Sequence, residues 1–396
     1  MRIGMLLDSV FPPDPRVENE AIALIKKGHE VFLFCLHYHV GKQAKEINGI
    51  KVRRYPSNTL IYKLSALAYT IPVYTFLMKK KIVHFIKKNR IEAIHIHDIR
   101  IAGAAFQANQ KFQLPTVLDL HDNMPEVMKF YPHLQKFPGK YIISPQKWKK
   151  KEEVFIQKAS KVITVSQEFI EELIGRGIVG REKVVLVPNT IRASFYENAI
   201  FKEELAKRYQ NNFVILYLGD THLRRGLQTA IESVKRLHAQ IPNIKLVIVG
   251  KNTTDYILKK QVKDLGITAF VDFEGWQNVS LFPSYIKASD VCISPLHRNI
   301  QHDVAYANKL FQYMSFGKPL LVSNATAQKT LVEKIQGGLV HLDRDVEDFS
   351  NKLRTLYDNK EAMQVFGNNG KQFVRNHFTW SKTSEALINL YDNLVN

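Results

Sequence analysis

Three cationic positions in this chain could hold a diphosphate. Arg224 and Arg225 stand in Leu218-Gly219-Asp220-Thr221-His222-Leu223-Arg224-Arg225-Gly226-Leu227. Lys309 stands in Asn308-Lys309-Leu310-Phe311-Gln312-Tyr313-Met314-Ser315-Phe316-Gly317-Lys318-Pro319. A guanidinium grips two phosphate oxygens in a fixed fork, and an ammonium adds a compact point charge. Gly219 lets backbone approach such a ligand closely. Val249-Gly250-Lys251 ends another apolar run in the same manner. In the Lys309 segment the spacing predicts a short helix. Asn308 suits its N-cap, Leu310, Phe311 and Met314 share one face, and Gly317 with Pro319 stops it. Lys309, Gln312 and Tyr313 share another face. A polar face near a helix N-terminus, beside the end of a parallel strand, suits an anionic nucleotide.

A second set combines histidines with carboxylates. Asp119-Leu120-His121-Asp122 closes an apolar run. His121 and Asp122 there either meet a ligand or cap the next helix, and the strand-end position favours the ligand. His95 and His97 alternate onto one side of a strand, but a metal needs a third ligand and none is evident nearby. His97 and Asp98 therefore read as cleft lining or strand-end packing. Arg16, in Phe11-Pro12-Pro13-Asp14-Pro15-Arg16-Val17, suits an anionic ligand and a surface charge equally. That loop carries no Gly-rich phosphate motif, which argues against dinucleotide oxidoreduction. In Phe273-Glu274-Gly275-Trp276-Gln277, Trp276 could cover a base or pack in a core.

The elements that must position these residues alternate between strand and helix. Apolar runs fall at 3–7, 31–35, 94–96, 117–120, 162–165 and 184–187, then at 214–218, 246–249, 270–273, 291–293, 319–322 and 339–342. Continuous apolar strands between helices indicate parallel sheets covered on both faces, with ligands at the carboxyl ends of the strands. The expected fold is α/β, two doubly wound Rossmann-like domains. The reading places one domain at 1–190, a second at 191–376 and a closing segment at 377–396 whose helix covers Ser381–Val395.

Composition agrees with a two-domain enzyme. The chain has 396 residues with 45% apolar, and its two cysteines, Cys35 and Cys292, sit in strand-like runs as small hydrophobes. The net charge is +19. Residues 1–190 hold 30 Lys and Arg against 17 Asp and Glu, an excess of +13, and the remainder holds 26 against 20, an excess of +6. No RNA-binding, zinc-finger or basic-zipper signature accompanies that charge, so no nucleic acid partner is expected. Leu60–Met78 is apolar but interrupted by Lys63 and Pro72, with Lys79-Lys80-Lys81 behind it and Lys147-Trp148-Lys149-Lys150-Lys151 further on. Such a run suits an interfacial helix on an anionic membrane, or a core helix, better than a span. The opening residues turn polar at Asp8, too early for a signal peptide, and a cytoplasmic setting is expected.

The Lys309 segment resembles the nucleotide-sugar motif of retaining glycosyltransferases of the GT-B fold, family 4. The resemblance extends over nearly the whole chain, through Lys27-Gly28-His29-Glu30-Val31, Asp119-Leu120-His121-Asp122, the Arg225-Gly226 pair and Ala288-Ser289-Asp290-Val291-Cys292-Ile293-Ser294-Pro295. It implies two Rossmann-like domains facing a cleft, with the final helix crossing back to the first. It implies transfer from a nucleotide-diphosphate sugar, with no metal or other cofactor, to a glycan or lipid-linked acceptor. His121, Arg225 and Lys309 would be catalytic. Gly219, Arg224, Gly250, Lys251, Trp276, Gln277, Asn308, Leu310 and Gln312 would hold the donor. Arg16, His97 and Asp122 would face the acceptor. His297, Arg298, His302 and Asp303 would lie in the loop that meets the sugar. Three positions depart from the family pattern: Gln312 and Val304 replace acids, and Asp220 replaces an arginine. Those departures keep open a non-catalytic binding partner, and the shared fold keeps open a nucleotide-sugar 2-epimerase.

Overall fold

The computed structural model describes every residue except 39–43, 132–133, 192 and 395–396, so Val395 of the expected final helix lies outside the described residues. Contacts divide the chain into two units, Met1–Asn189 with Thr383–Asn396, and Thr190–Lys382.

The first unit holds a sheet of β1 (Arg2–Val10), β2 (Glu30–His37), β3 (Ala44–Ile47), β4 (Ile50–Pro56), β5 (Ala93–His97), β6 (Thr116–Leu120), β7 (Lys161–Thr164) and β8 (Val184–Leu186). Its order is β3-β4-β2-β1-β5-β6-β7-β8. Every pairing is parallel except β3 with β4. The order reverses at β1, which pairs with β2 on one side and β5 on the other. Ligand crevices of open α/β sheets open at such a reversal, beyond the carboxyl ends of the strands.

The sequence reading misses β3 and β4. Their hairpin turns at Asn48 and Gly49, both at positive φ (50° and 80°), as an Asn-Gly turn requires. The strand Ala44-Lys45-Glu46-Ile47 is an exposed edge with no apolar run to betray it. The Leu60–Met78 stretch breaks at Pro72 into helices Thr59–Ser65 and Val73–Asn89. No described helix is long and apolar enough to cross a membrane. The second helix buries Tyr74, Met78, Ile82, Phe85 and Ile86, so much of the run is core.

The second unit holds β9 (Phe213–Leu218), β10 (Ile244–Val249), β11 (Val271–Gly275), β12 (Val291–Ser294), β13 (Leu320–Ser323) and β14 (Gly338–His341). Its order is β11-β10-β9-β12-β13-β14, parallel throughout. Side chains alternate between two cores. Ile215, Tyr217, Leu246 and Ile248 join Ile231 and Phe349 on one face. Leu216, Leu218 and Val247 join Leu310, Phe311 and Met314 on the other. The order reverses at β9, between β10 and β12. All twelve apolar runs thus form strands, although β13 begins at Leu320, one residue beyond Pro319, which has no backbone N–H for a ladder.

Candidate functional site

In the second unit the reversal at β9 places two glycine turns back to back. Gly219 follows β9 at φ 113°, and Gly250 follows β10 at φ 156°. A Cβ on Gly250 would sit 1.8 Å from the Gly219 carbonyl oxygen, so only glycine fits. Above Gly219 lies Lys309: a Cβ there would meet its Nζ at 3.7 Å. The helix Asn308–Ser315 carries Lys309 into this position. Its Nζ is buried, has no hydrogen-bond partner among the described residues and lies 3.4 Å from the centroid of the Tyr217 ring. Burial and the neighbouring Arg225 push this amine well below the usual lysine range. An anion beside it would supply the missing partner and favour the charged form.

Arg225 closes the short 3-10 turn Leu223–Arg225, and Gly226 follows in the left-handed region. Arg225 Nε is 3.4 Å from Asp220 Oδ2, whose other oxygen accepts from Asn252 Nδ2 at 2.7 Å. Burial would raise the Asp220 carboxyl, but Asn252 and Arg225 hold it below its usual value. Asp220 therefore orients Arg225 instead of facing a phosphate as a bare repulsive charge. A Cβ on Gly226 would lie 1.7 Å from the Pro295 carbonyl oxygen, which seats the loop after β12 directly on this turn.

Two tyrosines hold this geometry, and the sequence reading leaves out the first, Tyr217. Tyr217 Oη donates to the Asp220 carbonyl at 2.6 Å. Tyr313 Oη accepts the Leu218 N–H at 2.7 Å, where β9 ends. Tyr313 is fully buried, which corrects its assignment to a polar ligand face. Leu310 is corrected likewise: its side chain is core, and no ligand can reach it. Asn308 is the first helical residue. Ala307 is the N-cap and makes no side-chain bond, so the capping role is corrected too. Gln312 is half-buried, Lys251 and Asn308 are exposed, and Arg224 flanks Arg225 in the turn. Trp276 is 72% exposed, not core, and Gln277 Nε2 donates to the Glu274 carbonyl at 2.8 Å.

The first unit gathers its chemistry at the ends of β5 and β6. Asp119, fully buried, accepts from Arg16 twice, Nε to Oδ2 at 2.9 Å and Nη2 to Oδ1 at 2.5 Å. His97 Nδ1 is 3.1 Å and His121 Nδ1 3.8 Å from Asp119 Oδ2. Glu20, buried on the helix Pro15–Lys26, is 3.3 Å from Arg16 Nη2 and 3.4 Å from His95 Nε2. His95 Nδ1 meets Tyr391 Oη at 2.9 Å, which ties in the final helix Trp380–Asp392. Burial alone would depress the His121 imidazole, but Asp119 overrides it and raises it to about 9. Burial and the Asp119 charge push Glu20 up to about 7. Burial would raise Asp119 as well, yet Arg16 and the histidines hold it well below the carboxylate range.

Three expectations change here. Arg16 is neither a surface charge nor a free anion ligand, because Asp119, Glu20 and Asn189 (Oδ1 at 2.8 Å) occupy its guanidinium. His97 is fully buried and packs instead of lining an accessible surface. His95 and His97 do have further ligand groups nearby: with Glu20 and Asp119 they offer atoms within 4.8 Å of one another. The Arg16 guanidinium already neutralises those carboxylates, and a metal ion would face its fixed charge. Only folding brings Glu20 to this point. His121 stays 27% exposed and Asp122 half-buried at the strand end.

Two doubly wound units, with polar groups at strand-order reversals and a cationic glycine loop in the second, define the GT-B architecture. The chain belongs to the glycosyltransferases of this type: residues 16–195 match Glycosyltransferase Family 4, and residues 200–373 match Glycosyl transferases group 1. It is similar to the capsular polysaccharide biosynthesis glycosyltransferase CapM of Staphylococcus aureus, 21% identical over 60% of this chain and 62% of that one. It is also similar to an Escherichia coli UDP-Gal:alpha-D-GlcNAc-diphosphoundecaprenol alpha-1,3-galactosyltransferase, 26% identical over 61% and 63%. The chain spans about three fifths of the length of these curated relatives. Among solved structures, Anabaena HepE in complex with UDP superimposes with a TM-score of 0.74 at 17% identity, over 99% of this chain and all of that one.

Proposed function

We propose that this protein transfers a sugar, with retention, from a nucleotide-diphosphate sugar to a glycan or lipid-linked acceptor in the synthesis of a cell-surface polysaccharide or glycoconjugate. The observation that carries the reading is the buried Lys309 amine over the Gly219 turn, beside Arg225 and without a hydrogen-bond partner among the described residues. As the glycosidic bond breaks, the leaving diphosphate gains charge. Lys309, Arg225 and the backbone donors of the glycine turns stabilise it. The attack comes from the same face, with the leaving phosphate taking the acceptor proton, so no pair of carboxylates is required. His121 contacts the transferred sugar and Asp122 the acceptor. Gln312 bonds a ribose hydroxyl without charge assistance.

The UDP complex of HepE and the lipid-linked substrate in the name of the E. coli relative support a nucleotide-sugar donor and such an acceptor. Isothermal calorimetry with UDP, GDP, ADP and dTDP, followed by turnover of the matching nucleotide sugars, tests the reading. Binding of none of them sinks it. Binding without any turnover on lipid-linked acceptors supports the non-catalytic partner instead, which the replacements Gln312, Val304 and Asp220 favour. Metal independence belongs to the same reading: cations and helix N-termini neutralise the phosphates. Turnover is unchanged by a chelator. Loss that manganese or magnesium restores contradicts this.

The acceptor class gives membrane contact a purpose. In the first unit Leu60, Tyr62 and Phe76 stand exposed beside Lys63 and Lys80, and Phe137 (84% exposed) and Tyr141 (76%) stand beside Lys136 and Lys140. Thr70 Oγ1 donates to the Ile142 carbonyl at 3.1 Å, tying the two segments together. Aromatic anchors among lysines suit an anionic bilayer, here the inner face of the plasma membrane from the cytoplasmic side. The Lys147–Lys151 segment contributes charge only, because Trp148 is buried.

A further inference from the structure

The loop between β12 and the Lys309 helix carries an acceptor that the family pattern does not supply. His302 is 4% exposed, on the short helix Ile300–Asp303. Its Nδ1 lies 2.7 Å from the His297 carbonyl oxygen. Asn299 Nδ2 is also 2.9 Å from this nitrogen, but it donates to the same His297 carbonyl at 3.0 Å. The shorter contact is to that carbonyl, which can only accept, so Nδ1 carries the hydrogen and a neutral ring has its lone pair on Nε2. Nε2 is buried and has no hydrogen-bond partner among the described residues. A buried polar atom left so is costly, and a ligand that pairs it recovers the loss.

The loop is held against the donor turn. His297 N–H donates to the Arg224 carbonyl at 3.0 Å, and His297 Nδ1 meets Asp343 Oδ1 at 2.9 Å. Asn299 Oδ1 accepts the His302 backbone N–H at 3.0 Å, so the residue is held at its backbone and at Nδ1. Val304, which stands where the family pattern has an acid, is buried and its side chain offers no hydrogen-bond acceptor.

We propose that His302 Nε2 accepts a hydrogen bond from a hydroxyl of the transferred sugar, so that this chain reads its donor sugar through a neutral nitrogen in place of a carboxylate. The inference rests on the nucleotide-sugar reading above. A phosphate oxygen is the wrong partner, because it also only accepts and would require a proton on Nε2. Burial opposes that proton, as do Arg225, Arg224 and Lys309, and the imidazole is pushed down to about 4. A hydroxyl has the hydrogen that the lone pair lacks.

The test compares a nucleoside diphosphate with its sugar conjugate on the full chain. Calorimetry first finds which of UDP, GDP, ADP and dTDP binds, and then its glucose, galactose and N-acetylglucosamine conjugates. If none binds, the nucleotide-sugar reading itself fails. Where the wild type binds, His302→Phe weakens the intact nucleotide sugar on the order of 10-fold, the scale of one unsatisfied buried hydrogen bond, and leaves the bare diphosphate within about twofold. Retained diphosphate binding also certifies the fold. His302→Gln, whose amide oxygen can accept, keeps more of the sugar affinity than His302→Phe. Among monodeoxy analogues of the preferred sugar, one binds wild type and His302→Phe equally. Equal weakening of diphosphate and conjugate overturns the proposal in favour of a phosphate contact. Unchanged affinity for both, or no deoxy position that abolishes the difference, overturns it in favour of a packing role.

Discussion

Tyr313 Oη accepts the Leu218 N–H at 2.7 Å, so the helix that carries Lys309 also pins the strand end that carries Gly219. One tyrosine thereby sets the distance between the cation and the glycine turn. Tyr313→Phe leaves a buried N–H unpaired and should cost about 1–3 kcal/mol of stability. It should also weaken diphosphate binding, because the turn loosens beneath Lys309. A variant with unchanged melting temperature and unchanged diphosphate affinity would show that Leu218 finds another acceptor.

Arg225→Ala and Lys309→Ala each remove a partner of the leaving diphosphate. The expected loss is about 3 kcal/mol of transition-state stabilisation, roughly 100-fold or more in turnover, with the fold intact. Lys309→Ala should not destabilise the free protein, since the buried amine has no hydrogen-bond partner among the described residues to lose. Near-normal turnover in both folded variants removes them from the site.

Donor binding should take up a proton. The free Lys309 amine is held well below the usual lysine range by burial and by Arg225, and a diphosphate favours its charged form. Calorimetry in two buffers of different ionisation enthalpy reads that proton directly. Its absence in the wild type would mean that Lys309 is charged before the ligand arrives.

His121 makes stability depend on pH. Asp119 raises its folded pKa to about 9 against burial, above the ordinary histidine value. The charged imidazolium therefore stabilises the fold fully below about pH 6.5, and that contribution is lost as pH rises through about 9. The melting temperature of wild type minus that of His121→Gln should be largest at pH 6 and shrink by pH 9.5. A difference that stays constant across that range would show His121 to be neutral throughout.

Membrane contact should depend on the exposed aromatics of the first unit. Wild type should bind anionic vesicles at low salt and release as salt rises, with each nearby lysine worth about 1 kcal/mol. Phe137→Ser with Tyr141→Ser should weaken that binding and spare turnover on a soluble acceptor analogue. No binding of the wild type to anionic vesicles at low salt would leave these side chains as ordinary surface.

Much of this protein is legible in its sequence because the signals are local. Twelve apolar runs between helical patterns determine two parallel sheets, since a strand buried on both faces must be apolar along its length. Gly219, Gly250, Arg225 and Lys309 stand out because a glycine turn and a cation at a strand end can do phosphate chemistry wherever the sheets place them. The edge hairpin of β3 and β4 escapes the reading because an exposed edge needs no apolar run. Only the tertiary structure could decide the rest. It turns Arg16 inward onto Asp119 and brings Glu20 and Tyr391 to His95. It buries Tyr313 and Leu310, takes Asn308 off the cap, and leaves His302 Nε2 without a partner. These outcomes depend on which distant groups share a buried volume. Buried polar atoms must pair there across long stretches of chain, and residue spacing carries no record of that pairing.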